Sequence, residues 1–127
     1  MKRAVWVAAV SLLLILLLFF FCDSVRRGIA LDMLQKCRQV EEHIAWGDRE
    51  GARQLAMEMQ AHWQDKAGFL TLFTHHQLTN RVDEMLLQVI TALENQAEYE
   101  LRMGLEGLKN AVRQVHEQDA FVLKNIL

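Results

Sequence analysis

The feature that most constrains this chain is an uncharged apolar run from Ala4 to Cys22, AVWVAAVSLLLILLLFFFC. As a helix, the run would be roughly 28 Å long at about 1.5 Å per residue, close to the roughly 30 Å hydrocarbon core of a bilayer. A small domain cannot cover so long an apolar segment on every side. The run therefore predicts a lipid bilayer as its partner, and we interpret residues 1–22 as a signal anchor and transmembrane helix.

Two other interpretations of the run involve cleavage. A cleaved secretory signal has a shorter apolar stretch and small residues at the cut site, whereas the three phenylalanines at positions 19–21 precede Cys22. In a lipoprotein signal, Cys22 would be acylated after cleavage, but the residue before such a cysteine is small and Phe21 is bulky. We therefore favour a permanent anchor over both alternatives.

Basic residues near the ends of the run bear on its orientation. Lys2 and Arg3 precede it, and Arg26 and Arg27 follow it. Cytoplasmic flanks are enriched in Lys and Arg, so the two pairs act in opposite directions. The short basic start is typical of an export signal. It favours a single-pass protein of the cell membrane with a cytoplasmic N-terminus and an extracytoplasmic C-terminal domain.

The remaining residues, 23–127, have room for one small domain. All 16 acidic residues of the chain lie there, and the whole chain has a formal net charge of −2. This charge argues against a nucleic-acid surface, which would need clustered excess Lys and Arg. The chain also has no proline. Since proline breaks helix interiors, its absence indicates a chain that is helical nearly throughout.

Apolar residues recur at steps of three and four in four segments, which predicts four amphipathic helices. The segments are about 24–46, 48 to 68 or beyond, 76–95, and 97 to 115 or to the end of the chain. Gly47 and Asp48 form a turn signal, and Asp48 can cap the second helix. The predicted fold is all-α: one N-terminal transmembrane helix followed by a four-helix up-down bundle or two stacked αα-hairpins. The first of the four can continue the anchor directly, with Gly28 as the flexible point.

After the basic start and the apolar span, a series of residues follows in a fixed order: Gly47, Asp48, Ala52, Leu55, Trp63, His76, Val82, Asp83, Leu86, Asn125, Ile126 and Leu127. With this order the chain resembles a family of short, single-span bacterial membrane proteins of unknown function, found mostly in Gram-positive spore formers. The resemblance covers nearly the whole chain. It implies a location and a fold, and it carries over no catalytic residues.

Four residues stand out as weak candidates for ligand binding or for contacts between helices: Trp63, His75, His76 and Asp83. Trp63 lies on the apolar stripe of the second helix, so we expect it in the core. A buried indole N–H needs an acceptor, and His76 or a nearby carbonyl could serve.

A metal site would need ligands from two helices. Adjacent histidines on a helix point about 100° apart, so His75 and His76 cannot easily share one ion. His76 and Asp83 do share a face, and Glu58 with His62 could supply further ligands. No Glu-x-x-His motif of the di-iron bundles occurs. We therefore predict no metal site and expect these groups to make hydrogen bonds between helices.

Catalytic motifs are missing from the sequence. No hydroxyl residue lies in a glycine-rich elbow, and no GxxxxGK[ST] loop is present. We expect no enzyme activity, no catalytic residues and no cofactor. The leading hypothesis is a membrane-tethered interaction module that binds another membrane or envelope protein. The alternative is a sensor-like extracytoplasmic bundle that binds a small ligand or metal ion, which a polar cavity beside Trp63 and His76 would favour.

Overall fold

The structure is a computed structural model, and it describes residues 1–72 and 76–126, with side chains through residue 117. Within these ranges the only regular elements are four helices. They are α1 (Lys2–Ala45), α2 (Arg49–Leu70), α3 (His76–Glu94) and α4 (Glu98–Ile126). The all-helical prediction is confirmed. The anchor and the first bundle helix form one continuous helix, as the sequence allowed.

Helix α1 has two parts with different surroundings. In residues 4–21, the outer half, every residue is exposed. This part is long and apolar enough to cross a membrane, and none of it is buried by the protein. Residues 22–45, the inner half, bury one stripe. The helix passes through Gly28 unbroken, because nothing in the backbone between the halves interrupts the hydrogen-bond ladder.

The turn between α1 and α2 combines two capping motifs. The N–H of Gly47 donates to the Ile44 carbonyl at 3.1 Å, and the N–H of Asp48 donates to the His43 carbonyl at 2.8 Å. This is a Schellman ending, which requires a left-handed residue, and Gly47 has a φ of 78°. The Asp48 carboxylate then accepts from the Gly51 N–H at 3.0 Å. The predicted turn and N-cap are both confirmed.

The other helix ends follow similar rules. Helix α2 continues two residues beyond Gly68, and α3 begins at His76 as predicted. Between α3 and α4, the Ala97 N–H donates to the Ala92 carbonyl at 3.0 Å, which is again a Schellman bond. Here the left-handed residue is Gln96, with a φ of 56°. The predicted weak break at this position is therefore a true helix end.

The helices pack as a closed ring in which α1 contacts α2 and α4, and α3 contacts the same two. We call the end of the bundle beside the apolar run the proximal end and the opposite end the distal end. At the distal end α1 connects to α2 and α3 connects to α4. At the proximal end α1 enters the bundle, and the chain passes from α2 to α3. One continuous core joins the four helices. Its largest fully buried side chains are Trp63, Met33, Met59, Leu70, Leu86, Leu108, Val40, Val82, Val89, Val112 and Cys37.

Two glycines allow α4 to lie close to α3. A Cβ at Gly104 would lie 3.1 Å from Val89 Cγ2, and a Cβ at Gly107 would lie 2.5 Å from Met85 Sδ. Glycine costs a helix interior about 1 kcal/mol relative to alanine. That cost is offset here by the close approach of the two helices.

Candidate functional site

Two of the four candidate residues from the sequence meet between α2 and α3. The Trp63 side chain is 1% exposed, and its Nε1–H donates to Asp83 Oδ1 at 2.7 Å. Trp63 therefore lies in the core, as predicted. The acceptor is the Asp83 carboxylate, and not His76 or a carbonyl as we expected. A hydrogen bond to a charged acceptor is stronger than a neutral one, so this bond holds α2 and α3 at one relative position.

The histidines do not join this contact. His76 is exposed at the start of α3, where its carbonyl accepts from Thr79 Oγ1 at 3.0 Å. His75 lies outside the described residues. His62, suggested as a further metal ligand, has its Nε2 3.3 Å from Asp32 Oδ2 on α1. In the part of the chain with described residues, no three His, Cys, Asp or Glu side chains are grouped to hold a metal ion.

Ion pairs on the surface connect neighbouring helices. Single exposed pairs of this kind contribute at most about 1 kcal/mol each, so their main effect is to set how the helices align. His62 with Asp32 links α2 to α1, and Lys109 Nζ lies 2.7 Å from Glu41 Oε1, which links α4 to α1. At the distal end, Arg53 lies 3.6 Å from Glu94 and Arg49 lies 2.9 Å from Glu98.

The inner half of α1 contains one strongly perturbed group. Burial, together with the nearby Glu41 carboxylate, raises the pKa of the Cys37 thiol to about 12. The thiolate is the nucleophilic form of cysteine, so this thiol is inert at neutral pH. The Lys109 ammonium donates hydrogen bonds to the carboxylates of Glu41 and Glu106, which raises the pKa of Lys109 above its usual value. Both groups are structural, and neither has the lowered pKa of a reactive nucleophile.

A shallow groove lies between α3 and α4 near the distal end. We call it the α3–α4 groove; its volume is about 370 Å³, and it exposes mostly carbon atoms although five of its eight lining residues are polar or charged. On its two sides, Leu87 is 58% exposed and Met103 is 53% exposed. Met103 lies one turn after Glu100, which lines the groove, so the two share a side of α4. The lining residues are Glu84, Leu87, Gln88, Thr91, Ala92, Asn95, Ala97 and Glu100.

A second, polar groove of about 420 Å³ lies near the start of α3. It is lined by Gln77, Leu78, Asn80, Arg81, Glu84 and Gln114. Neither Trp63 nor His76 lines it. The two residues that would mark a ligand site therefore do not share this polar space, and the surroundings of Trp63 are filled by the core.

Comparison with known proteins assigns the bundle to a family. The family model for a domain of unknown function, DUF4363, matches residues 20–126. The chain belongs to the DUF4363 family. The match begins at the end of the apolar run and spans the inner half of α1 with the three other helices, which agrees with a predicted family of unknown function. Neither the curated proteins nor the solved structures contain a match to the chain.

Sequence reasoning missed the groove of this DUF4363 domain. Helical periodicity identifies the residues that face the core, and Leu87 and Met103 lie off that stripe. Each is an exposed apolar residue, which is ordinary on a protein surface. The groove lies between two helices that approach each other closely at Gly104 and Gly107. The available signal was the pair of glycines, read together with the exposed apolar residues on both helices.

Proposed function

We propose that this protein is a single-pass bacterial membrane protein whose extracytoplasmic bundle is a non-enzymatic module that binds another membrane or envelope protein. The observation that carries the proposal is the α3–α4 groove, an apolar surface on a bundle whose core is otherwise filled.

The groove suggests the chemistry of the partner. Two helices with a shallow apolar channel between them form the surface on which an amphipathic helix docks. The exposed carboxylates Glu84 and Glu100 line the channel. We therefore infer a partner helix with an apolar ridge flanked by Lys or Arg, since complementary charges set the register and speed of association.

The anchor determines where such a partner must be. Crossing the membrane once, it keeps the bundle in a thin layer beside the bilayer. Restriction to this layer raises the effective concentration of the bundle toward any partner that is also tethered there. A modest affinity is then sufficient, which agrees with a groove of only about 370 Å³.

Site-specific photocrosslinking in the native cells tests this function. A crosslinking amino acid replaces Met103, 53% exposed beside the groove, or Met57, 46% exposed on α2. We expect position 103 to give one crosslinked species of defined mass and position 57 to give none. Equal crosslinking at both positions, or none at position 103, would contradict the proposal.

A substitution gives an independent test of the same surface. Leu87→Glu adds a charge to the apolar wall and should abolish the species crosslinked through position 103. Met57→Glu is the matched control and should leave that species unchanged. Both residues are exposed, so circular dichroism should show the same helical content in both variants.

The proposed orientation has its own test. Asn110 is exposed on α4, and Asn110→Cys provides a labelling site on the bundle. An impermeant thiol reagent should label it in intact cells. Labelling only after lysis would place the bundle in the cytoplasm and refute this orientation.

A further inference from the structure

The proximal end of the bundle exposes a leucine for which nothing above accounts. Leu72 directly follows the C-terminal residues of α2 and is 75% exposed. A single exposed leucine on a soluble surface needs no explanation. This leucine is significant because of its height, by which we mean its position along the bundle axis, relative to the apolar run of α1.

Two contacts determine that height. His62 Nε2 on α2 lies 3.3 Å from Asp32 Oδ2 on α1, so these two residues are level. Helices α1 and α2 are antiparallel, and the short turn joining them places Ala45 level with Arg49, which gives the same alignment. Moving down both helices at about 1.5 Å per residue brings Leu70 level with Ser24. Leu72 then lies level with Cys22, where the apolar run ends.

The neighbouring residues on α1 are those of a membrane boundary. Asp23 follows the last apolar residue, and its carboxylate pairs with Arg26 at 2.5 Å and with Arg27 at 3.2 Å. These charges begin at the height where Leu72 is exposed. An apolar side chain at this depth has the boundary between headgroups and acyl chains beside it, and apolar area is buried there with a gain in free energy.

We propose that Leu72 inserts into the lipid interface beside the anchor, so that the C-terminal end of α2 rests on the membrane surface. This inference rests on the proposed function in one respect, the membrane-spanning anchor. It adds a second contact with lipid, made by the bundle itself. That contact holds the bundle upright and keeps the α3–α4 groove at the end away from the membrane.

Fluorescence quenching in vesicles tests the contact. The full chain, carrying Cys22→Ala, is reconstituted in phosphatidylcholine vesicles containing a minor share of phosphatidylglycerol. Cys37 is fully buried and its pKa is about 12, so it takes up no label in the folded protein. An environment-sensitive fluorophore is attached at Leu72→Cys or at Trp46→Cys. Trp46 is the matched control, since it is 74% exposed at the distal end.

We expect the label at position 72 to be quenched by lipids with a spin label near the headgroup and to be at least threefold less sensitive to aqueous iodide than the label at position 46. A third label at Leu14→Cys reports on the anchor. Lipid quenching at position 14 with full iodide quenching at position 72 would overturn the lipid contact and leave the anchor intact. Iodide quenching at position 14 would overturn the anchor, and this inference with it.

Discussion

The two halves of α1 share one backbone and differ in everything around it. In the outer half every side chain from residue 4 to 21 is exposed. In the inner half one stripe is buried and the opposite side is charged. The ladder of hydrogen bonds continues through both halves, because it depends only on the backbone. The difference therefore lies in what each half needs around it: apolar surroundings on every side for the outer half, and the packed helices α2 and α4 on one side for the inner half.

This contrast also explains which half of α1 the family model matches. The match to DUF4363 starts at residue 20 and follows the inner half and the bundle. Any apolar helix of sufficient length satisfies a bilayer, so the outer half has few specific requirements. A packed core instead constrains volume and shape at each position. The outer half can therefore vary in sequence while the inner half keeps its pattern.

A charge introduced into the buried stripe of the inner half should have the largest effect on the stability of the bundle. Met33 is fully buried in the inner half, and Met33→Lys should destabilise the bundle by more than about 4 kcal/mol, because it buries an unpaired charge. Near-ultraviolet circular dichroism would detect the loss of packing, while the chain stays in the carbonate-resistant membrane fraction.

Leu14→Lys in the outer half is the reciprocal variant. It should weaken membrane insertion by about 3 kcal/mol and leave the melting of the bundle unchanged. If Leu14→Lys lowered the melting temperature as much as Met33→Lys, the two halves would not be independent and the comparison would fail.

The packing that covers the inner half depends on the Trp63–Asp83 bond between α2 and α3. Asp83→Ala leaves the buried indole N–H without this acceptor and should cost about 1–3 kcal/mol in the free energy of unfolding. Asp65 is an exposed aspartate on α2, and Asp65→Ala should change stability by less than about 0.5 kcal/mol. Chemical denaturation measures both, and equal effects would show that the bond contributes nothing specific.

The buried thiol of the inner half should make stability depend on alkaline pH. The pKa of Cys37 rises from 9.0 to about 12 on folding. Above pH 9 the unfolded thiol loses its proton while the folded one keeps it, so stability is complete below pH 9 and falls as the pH rises toward 12. We expect a loss of about 1 kcal/mol between pH 9 and pH 10.

Two cysteine variants separate this effect from other alkaline titrations. The pKa of Lys109 is also raised. Loss of its charge at higher pH therefore also lowers the stability of the fold. Cys37→Ala should flatten the decline between pH 9 and pH 10, whereas Cys22→Ala should keep it. An unchanged slope in Cys37→Ala would assign the decline to another group.

The smallest effect is expected close to where the halves join. Nothing lies within 4 Å of a Cβ placed on Gly28, so Gly28→Ala should stabilise the bundle by up to about 1 kcal/mol through helix propensity alone. Gly104→Ala is the matched control. Its Cβ would lie 3.1 Å from Val89 Cγ2, and it should stabilise less or destabilise. A gain at Gly104 equal to that at Gly28 would show that α3 and α4 do not need the close approach.

Much of the fold could be predicted because its signals are local. The Gly47–Asp48 turn, the start of α3 at His76 and the core position of Trp63 all follow from residues close in sequence. Two details could not be predicted this way. The acceptor for Trp63 is Asp83, which α3 brings to α2, and His62 pairs with Asp32 on α1. Each depends on which helices become neighbours, and the pattern of a single helix does not contain that information.

By itself, the sequence determined the helices, their ends, the buried stripe of each and one segment suited to a bilayer, since these depend on backbone preference and local polarity. Only the tertiary structure decided the order of helices around the ring, the close approach of α3 and α4, and the height of Leu72 beside the apolar run. These depend on contacts between residues far apart in the chain. The α3–α4 groove belongs to the second group, because neither helix forms it alone.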